Sequence, residues 1–485
     1  MSNNPNSFQS PLLCQTAPPD QWASAVSHAR LGLMLASTER PFEAMPHLVR
    51  SIEMVCRTQG ALDSVLREDI FPAFDKLVTL VTRKEQLEYA EFLGWQFLEK
   101  FPSDHAPYAQ LARILYYRRH LGAALHLFRH APPVCNRSAT FLSYTAASLS
   151  HLGRGYAEEA LRLFQEALEL DPRCADLRLT YGDALQCCGD FPRAWQEYEK
   201  ALPLPELPIS EWRGENLVGK SIVIGVDDRY YCGYGDVIQL ARYIPLLQAG
   251  GGSVTFVVPG ELQTLIAESF AGATVVPKGT PLPKPDFHSP LFALPRVMKT
   301  TVDTVPSTVP YLRASPEQRT AWRHRLRHLT GRRIGIVWSG ILHVNDYGFG
   351  ITDHRHVALS RLEEVLATPG ADFISLQMGE PRKELKRLPA GQIVHDFMSE
   401  VADFSDTAAL LDCLDLVISI DTATAHLAGA CGKPVWILLP YGNCGRWLYD
   451  REDTPWYPTA RLLRQKAPGA WSELVERLQG ELATG

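Results

Sequence analysis

The sequence predicts an α plus α/β multidomain protein, in which a solenoid of helical repeats precedes two doubly wound α/β lobes. The first half repeats a set of small and aromatic positions at the spacing of antiparallel helix pairs. The second half alternates short β-branched runs with helical patterns. A chain of 485 residues is also too long to fold around a single hydrophobic core. We divide it into a polar tail (1–20), helical repeats (21–205), a first lobe (206–330) and a second lobe (331–485).

Composition excludes several classes of protein. Hydrophobic residues make up 46% and charged residues 21% of the chain, a balance typical of folded domains. The formal net charge of -6 provides no general basic field for nucleic acid or anionic membrane. No run reaches the roughly 20 apolar residues that span a bilayer, and Met1–Pro19 lacks the pattern of a secretory signal. The ten cysteines form no CxxC pair, so we expect free thiols and a cytoplasmic location.

The clearest repeat runs from Ala175 to Leu202. Gly182 and Ala194 permit close approach of two helices, Tyr198 fills the gap, and Ala201 faces the next unit. Weaker copies lie upstream, at Ala160–Ala167, Ala112–Ala131 and Gly32–Leu48, and a degenerate one lies in the interval 56–101. These spacings are typical of TPR repeats and predict four or five helix pairs from about Gln21 to Leu202.

A stack of such repeats has a concave surface that usually receives a peptide or protein. Alternatively, the array only packs on the second half of the chain or mediates dimerisation. The sequence leaves both interpretations open.

After the proline cluster at 203–208 the sequence pattern changes from helical periodicity to short apolar runs, and we place a domain boundary there. Ser221–Val226 and Ser253–Val258 are predicted strands around a helix at Val237–Leu247. Further strands are predicted at Arg333–Trp338, Asp372–Leu376, Leu416–Ile420 and Val435–Leu439. A proline-rich interval (281–310) and a charged helix (316–329) separate two Rossmann-like lobes. Ligands of such lobes bind outside the carboxyl ends of the strands.

The first motif at a strand end is a glycine-rich turn that opens a helix, from Tyr231 to Tyr243. Gly233 and Gly235 allow a tight turn and close approach of a ligand. Asp236 either caps the helix by accepting backbone N–H bonds or projects into a cleft, where it deprotonates a hydroxyl. The spacing alone does not separate these roles.

The second motif opens the second lobe, where a strand ends in Ser339 and Gly340. Backbone N–H groups of such a turn can meet a phosphate. Downstream, Asn345 is a polar candidate and Arg355 is a candidate cation for a diphosphate. The alternative for Arg355 is a solvated surface arginine.

The third and most specific motif runs from Ile418 to Ala430. A buried strand leads into a helix, and the N–H groups of Thr422, Ala423 and Thr424 with the helix dipole form an anion site. His426 lies on the same helix face as this opening turn. Its alternative is a hydrogen-bonded, partly buried histidine with a structural role.

With these motifs in order, the region from about Ser221 to Gln465 resembles glycosyltransferase family 9, the ADP-heptose:lipopolysaccharide heptosyltransferase group. The second half looks most like TPR-fused bacterial members of that group. The similarity rests on five segments, at 233–243, Leu294–Arg296, Thr300–Pro306, Asp421–His426 and Pro455–Pro458.

The resemblance implies a GT-B fold, inversion at the anomeric carbon, no metal and no cofactor. The donor would be a nucleotide-diphospho-sugar, with an ADP-sugar as the first choice. Asp236 matches the general base, Asp421 a donor-sugar contact and His426 the helix histidine. Ser339, Gly340, Asn345, Arg355, Thr422, Ala423 and Thr424 complete the expected donor side, and Gly233, Tyr234, Gly235 and Gln239 form the expected acceptor cleft.

We therefore expect a glycosyltransferase that moves a heptose or hexose to a hydroxyl of a glycan or protein recruited by the repeats. Loops 340–353 and 441–447 depart from the family pattern. The alternative is accordingly a TPR scaffold with a degenerate, non-catalytic domain. A TPR-fused protein O-GlcNAc transferase fits the domain order, but the motifs resemble the heptosyltransferase group instead.

Overall fold

The computed structural model describes residues 20–38, 40–58, 64–81, 84–201, 209–225, 233–282, 284–340, 355–442 and 445–484. Within these ranges the first part of the chain, residues 20–201, is predominantly helical. The ten helices are α1 (Asp20–Ser37), α2 (Pro41–Arg57), α3 (Ser64–Leu80), α4 (Lys84–Lys100), α5 (His105–Tyr117), α6 (Leu121–His130), α7 (Ala139–His151), α8 (Ala157–Leu170), α9 (Ala175–Cys187) and α10 (Phe191–Ala201). The predicted helical-repeat array is thus confirmed.

Close contacts at glycines explain the pairing of these helices. A methyl group on Gly32 would lie 2.7 Å from Leu48 Cδ2, and one on Gly182 would lie 2.6 Å from Tyr198 Cε1. Only a residue without a side chain lets the backbones approach this closely. Phe42, which the repeat pattern includes, is 87% exposed and contributes nothing to the core.

The chain divides into two compact units, and the division falls within α7, between Tyr144 and Thr145. The first unit has its own core, which includes Leu48, Phe74 and Phe97. The second unit contains α8, α9 and α10 together with both sheets. The proline cluster that predicts a boundary lies at 203–208, outside the described residues.

The first sheet of the second unit has five parallel strands in the order β1-β5-β2-β3-β4. The strands are β1 (Ser210–Glu211), β2 (Ser221–Gly225), β3 (Ser253–Val258), β4 (Thr274–Pro277) and β5 (Phe287–Pro290). The accompanying helices are α11 (Tyr234–Leu240), α12 (Ile244–Ala249), α13 (Gly260–Ser269) and α14 (Leu294–Val297). A 3₁₀ turn at Ala241–Tyr243 joins α11 to α12, so the helix predicted at 237–247 is interrupted.

The second sheet has six parallel strands in the order β11-β10-β9-β6-β7-β8. The strands are β6 (Arg332–Val337), β7 (Ala371–Ser375), β8 (Val394–Asp396), β9 (Leu416–Ile420), β10 (Val435–Leu439) and β11 (Ala460–Arg464). The helices are α15 (Pro316–Arg325), α16 (Glu363–Leu366), α17 (Phe404–Asp412), α18 (Ala423–Ala430) and α19 (Trp471–Thr484). The strand order reverses between β6 and β9, and ligands of doubly wound sheets bind at such a switch point.

The predicted strands with β-branched runs are present, whereas β1, β4, β5, β8 and β11 were not predicted. Most of these are short or lie at a sheet edge, and β5 lies inside the proline-rich interval. Their sequences lack the continuous apolar run that identifies a buried strand. Val226, the last residue of the first predicted strand, lies outside the described ranges.

A buried arginine joins the two sheet-bearing parts of the second unit. Arg242 is 3% exposed. Its Nε donates to the Gln239 carbonyl at 2.7 Å, and its Nη1 donates to the Trp456 carbonyl at 2.6 Å. Its Nη2 donates to the Tyr311 hydroxyl at 3.0 Å. This buried guanidinium therefore links α11 to the segment that follows β10 by hydrogen bonds.

Among the described residues, no helix combines the length and the apolar character that crossing a bilayer requires.

Replacement of Gly182 by alanine tests the helix pairing. The added methyl group would overlap the Tyr198 ring, and such overpacking costs about 1–3 kcal/mol. We expect a lower melting temperature, measured by circular dichroism. Gly480→Ala on α19 is the control, because its methyl group would meet nothing within 4 Å and alanine favours a helix. A Gly182→Ala variant as stable as this control would contradict the packing described.

Candidate functional site

The first and third sequence motifs meet where two helices begin. A methyl group on Gly235, in the first turn of α11, would lie 2.8 Å from His426 Cδ2 and 3.6 Å from Ala423 Cα in α18. Residues 188 and 191 positions apart along the chain are thus brought into contact, and glycine is required at the crossing point. Asp236 of the first motif and His426 of the third motif lie at or next to this contact.

Arg446, in a short 3₁₀ turn at Gly445–Trp447, connects the two motifs. Its Nη2 lies 2.7 Å from Asp236 Oδ1, and its Nη1 donates to Gln239 Oε1 at 2.9 Å. The same Nη1 lies 3.2 Å from His426 Nε2. The guanidinium therefore contacts residues of both motifs. We call Asp236, Gln239, His426 and Arg446 the central cluster.

Asp236 caps α11 and also forms an ion pair with Arg446. Its Oδ2 accepts a hydrogen bond from the Gly233 N–H at 3.0 Å, which caps α11. Its Oδ1 forms the ion pair with Arg446, and the side chain remains 16% exposed. The carboxylate is thus a helix cap that also faces the central cluster.

His426 is a buried, hydrogen-bonded residue. It is 2% exposed, its Nδ1 lies 2.8 Å from the Tyr457 hydroxyl, and its ring stacks on Trp447. Arg446 Nη1, which can only donate, lies 3.2 Å from Nε2, a contact that favours the neutral ring. Burial, reinforced by the Arg446 charge, lowers the pKa of His426 despite the nearby Asp421 carboxylate.

Asp421 follows β9 at the switch point of the second sheet and is 8% exposed. Arg355 Nη1 lies 3.2 Å from both its Oδ2 and its carbonyl oxygen. Burial alone would raise the pKa of Asp421, but the His426 imidazole and the charges of Arg355 and Arg446 hold that pKa well below its usual range. Arg355 is therefore a partner of Asp421 and not a solvated surface residue.

The first turn of α18 presents backbone N–H groups without intrahelical partners. Thr422 occupies the N-cap position in an extended conformation, and its hydroxyl lies 2.9 Å from the Ser419 hydroxyl instead of capping the helix. Thr422, Ala423 and Thr424 are all partly exposed. The residues of this turn can therefore be approached from outside the chain, and a helix N-terminus favours an anion.

Ser339 and Gly340 lie at the end of β6, on the other side of the switch point. The N–H groups of Trp338 and Ser339 both donate to Gln377 Oε1, at 3.1 and 2.9 Å. The expected contact of the Ser339 N–H with a phosphate is thus not available in this conformation, because Gln377 already satisfies this donor. Asn345 lies outside the described residues. Tyr234 packs on Phe404, with ring centroids 5.1 Å apart.

Sequence reasoning missed the role of Arg446 and the partners Tyr457 and Gln377. The segment 441–447 attracted notice only as a departure from the family pattern. A glycine-arginine pair after a buried strand is a usable signal, since strand ends carry function in this fold. Nothing near Arg446 in the sequence indicates that it pairs with Asp236, 210 positions earlier.

Other possible sites lie apart from the central cluster. A recess of about 500 Å³ is lined by residues that include Arg154, Cys188 and Tyr449, and by no member of the cluster. No group of three or more His, Cys, Asp or Glu side chains that could hold a metal occurs among the described residues.

Comparisons with known proteins give two kinds of relative. The protein FlbA of Caulobacter vibrioides is 25% identical over 370 residues, which cover 69% of this chain and 60% of that protein. The chain therefore spans less than two thirds of this relative. No protein-family model matches the chain.

Two solved structures each resemble part of the chain. A glycosyl transferase family 9 protein of Veillonella parvula is 14% identical with a TM-score of 0.42, over 56% of this chain and 99% of its own. A TPR protein of Thermus thermophilus is 20% identical with a TM-score of 0.29, over 37% of this chain and 90% of its own. Both kinds of structure expected from the sequence are among those similar to the chain, but these likenesses say nothing about its chemistry.

The lowered pKa of His426 predicts a pH dependence of stability. Between the folded-state pKa and the unfolded value near 6.5, the unfolded chain binds a proton that the folded chain does not. The free energy of unfolding should fall by up to about 1.4 kcal/mol per pH unit as the pH drops through this window. His426→Gln should lack that contribution in denaturant unfolding between pH 7 and pH 5. Equal pH slopes for the two proteins would contradict the neutral imidazole.

Proposed function

We propose that the chain is an inverting, metal-independent glycosyltransferase with a GT-B arrangement of its two lobes. It would move a sugar from a nucleotide-diphospho-sugar to a hydroxyl of a glycan or protein. The observation that carries the proposal is the meeting of Asp236, Arg446 and His426 with the first turn of α18 at a sheet switch point.

The donor side would be the first turn of α18 with Arg355. The helix N-terminus offers N–H groups and a positive dipole end to a diphosphate. Arg355 and Arg446 add positive charge beside it, and Asp421 keeps Arg355 in place. Fixed dipoles and cations of this kind stabilise a leaving diphosphate without a metal ion. An ADP-sugar is the donor to try first.

The acceptor side would be the α11 turn, where the acceptor hydroxyl must lose a proton to a carboxylate. Asp236 is the carboxylate that the family resemblance indicates. The acceptor side would also include Gly233, Gly235 and Gln239. The Gln239 side chain accepts a hydrogen bond from Arg446, and Gly235 lies against α18. A single displacement at the anomeric carbon then produces inversion.

Binding of a nucleotide-sugar is the first test. Thermal unfolding of the full chain is measured with ADP-, GDP-, UDP- and dTDP-sugars, and a ligand at 100 times its Kd stabilises the folded state by roughly 2.7 kcal/mol. Stabilisation by one nucleotide class would identify the donor. No stabilisation by any of them would favour the alternative, a helical-repeat scaffold with a degenerate transferase domain.

Arg355→Ala tests the donor side. Loss of a charge-assisted contact of about 1.5–3 kcal/mol should weaken nucleotide-sugar binding at least 10-fold, measured by calorimetric titration. Arg361→Ala is the matched control, because Arg361 is exposed and, among the described residues, its Nη1 donates to the Ser472 hydroxyl and to no carboxylate. Equal affinities of the two variants would remove Arg355 from the donor site.

Asp236→Asn distinguishes an active glycosyltransferase from a non-catalytic scaffold protein. The substitution removes a carboxylate and the negative partner of Arg446, so we expect turnover to fall at least 100-fold. Nucleotide-sugar binding should persist in the same titration, and the measured quantity is release of nucleoside diphosphate. Absence of turnover in both the wild type and the variant would support the scaffold alternative.

A further inference from the structure

A chain of polar contacts connects the two arginines of the candidate site. Asp236 Oδ1 lies 2.7 Å from Arg446 Nη2, and Arg446 Nη1 lies 3.2 Å from His426 Nε2. His426 Nε2 in turn lies 3.7 Å from Asp421 Oδ1, and Asp421 Oδ2 lies 3.2 Å from Arg355 Nη1. Arg446 is therefore the member of this chain that contacts both the carboxylate of α11 and the imidazole of α18.

The backbone on both sides of Arg446 is held by close packing. A methyl group on Gly445 would lie 2.6 Å from the Asp183 carbonyl oxygen of α9. Trp447 is fully buried and stacks on His426, with ring centroids 5.3 Å apart. The Arg446 side chain itself is 22% exposed. A change of partner by the guanidinium therefore requires rotation about the side-chain bonds only.

Both oxygens of the Asp236 carboxylate have donors in this conformation. Oδ2 accepts from the Gly233 N–H at 3.0 Å, the bond that caps α11. Oδ1 accepts from Arg446 Nη2 at 2.7 Å. A general base must come within hydrogen-bond distance of the proton that it removes. An acceptor hydroxyl would therefore compete with Arg446 for Oδ1, because Oδ2 is used in the helix cap.

A donor diphosphate would offer Arg446 a second partner. A guanidinium binds carboxylate and phosphate oxygens with the same planar fork, and a diphosphate carries more negative charge than one carboxylate. The His426 N–H donates to the Thr422 carbonyl at 3.2 Å, so the imidazole that Arg446 contacts lies one helical turn from the N-cap of α18. This N-cap is where the proposed function places the diphosphate.

We infer that Arg446 exchanges partners during the reaction: it pairs with Asp236 in the free protein and with the donor diphosphate once the donor is bound. This inference rests on the proposed function. The exchange frees Asp236 Oδ1 only when the donor is present, so the donor binds before the acceptor. The Gly233 N–H keeps the carboxylate oriented after Arg446 leaves.

The transfer that follows is a single displacement. The acceptor oxygen forms a bond to the anomeric carbon while the bond from that carbon to the diphosphate oxygen breaks. The electron pair of the broken bond leaves with the nucleoside diphosphate, beside the Arg446 guanidinium. The acceptor proton moves to Asp236 Oδ1.

Calorimetric titration of the full chain with a nucleoside diphosphate tests the exchange. ADP, GDP, UDP and dTDP are tried in turn, and the one that binds the wild type is used for every variant. Asp236→Asn removes the negative partner that competes for Arg446, so it should bind this ligand about 5-fold more tightly. Arg446→Ala should bind it about 10-fold more weakly, because a charge-assisted contact is lost.

The double variant Asp236→Asn/Arg446→Ala separates the exchange from a general effect of charge. Without Arg446 there is no guanidinium to release, so the double variant should bind no more tightly than Arg446→Ala. An equal gain from Asp236→Asn in both backgrounds would mean that loss of a negative charge alone improves binding, which would overturn the exchange. Arg446→Gln takes the place of Arg446→Ala if circular dichroism shows that the alanine variant does not fold.

The outcomes also distinguish this inference from the proposed function. A wild type that binds a nucleoside diphosphate, with Asp236→Asn no tighter than the wild type, would overturn the exchange and leave the proposed function intact. A wild type that binds none of the four nucleoside diphosphates would overturn both. Glu476→Gln is the control, because it removes an exposed carboxylate on α19 and should bind like the wild type.

Discussion

The candidate site depends on the contact between Gly235 and His426. A side chain at position 235 would overlap the imidazole, so α11 and α18 could not begin side by side. Arg446 could then not reach Asp236 and His426 at once, because its guanidinium contacts both through neighbouring nitrogens. One absent side chain therefore determines whether the two motifs form one site.

The charges around this contact serve orientation more than stability. A buried ion pair adds little net stability, since desolvation of its two groups offsets their attraction. Asp421 is nevertheless buried with Arg355 beside it, and the neutral His426 lies between Asp421 and Arg446. Each cation is fixed by a carboxylate before any ligand arrives. Such preorganisation is what electrostatic stabilisation of a leaving group requires.

The sequence predicts the secondary-structure elements better than it predicts which residues pack against one another. Buried strands such as β9 and β10 have continuous apolar runs, and the Gly182–Tyr198 contact follows from the repeat pattern. Short edge strands such as β1 and β8 lack that signal. The role of Arg446 could not be assigned for a different reason. Its partner Asp236 lies 210 positions away along the chain, and local pattern carries no information about which distant residues the fold brings together.

The last helical pair bears on the two interpretations of the repeat array. Trp195 on α10 donates from Nε1 to the Thr300 carbonyl at 2.9 Å, and Phe191 stacks on Trp456 with ring centroids 6.0 Å apart. Both side chains belong to the same hydrophobic core as the sheets. For α9 and α10, packing on the α/β part is therefore observed, and recruitment of a partner is not needed to explain these helices. Because α10 shares the core of the sheets, it is held in a fixed position against them, which a flexibly tethered recruiting module would not be.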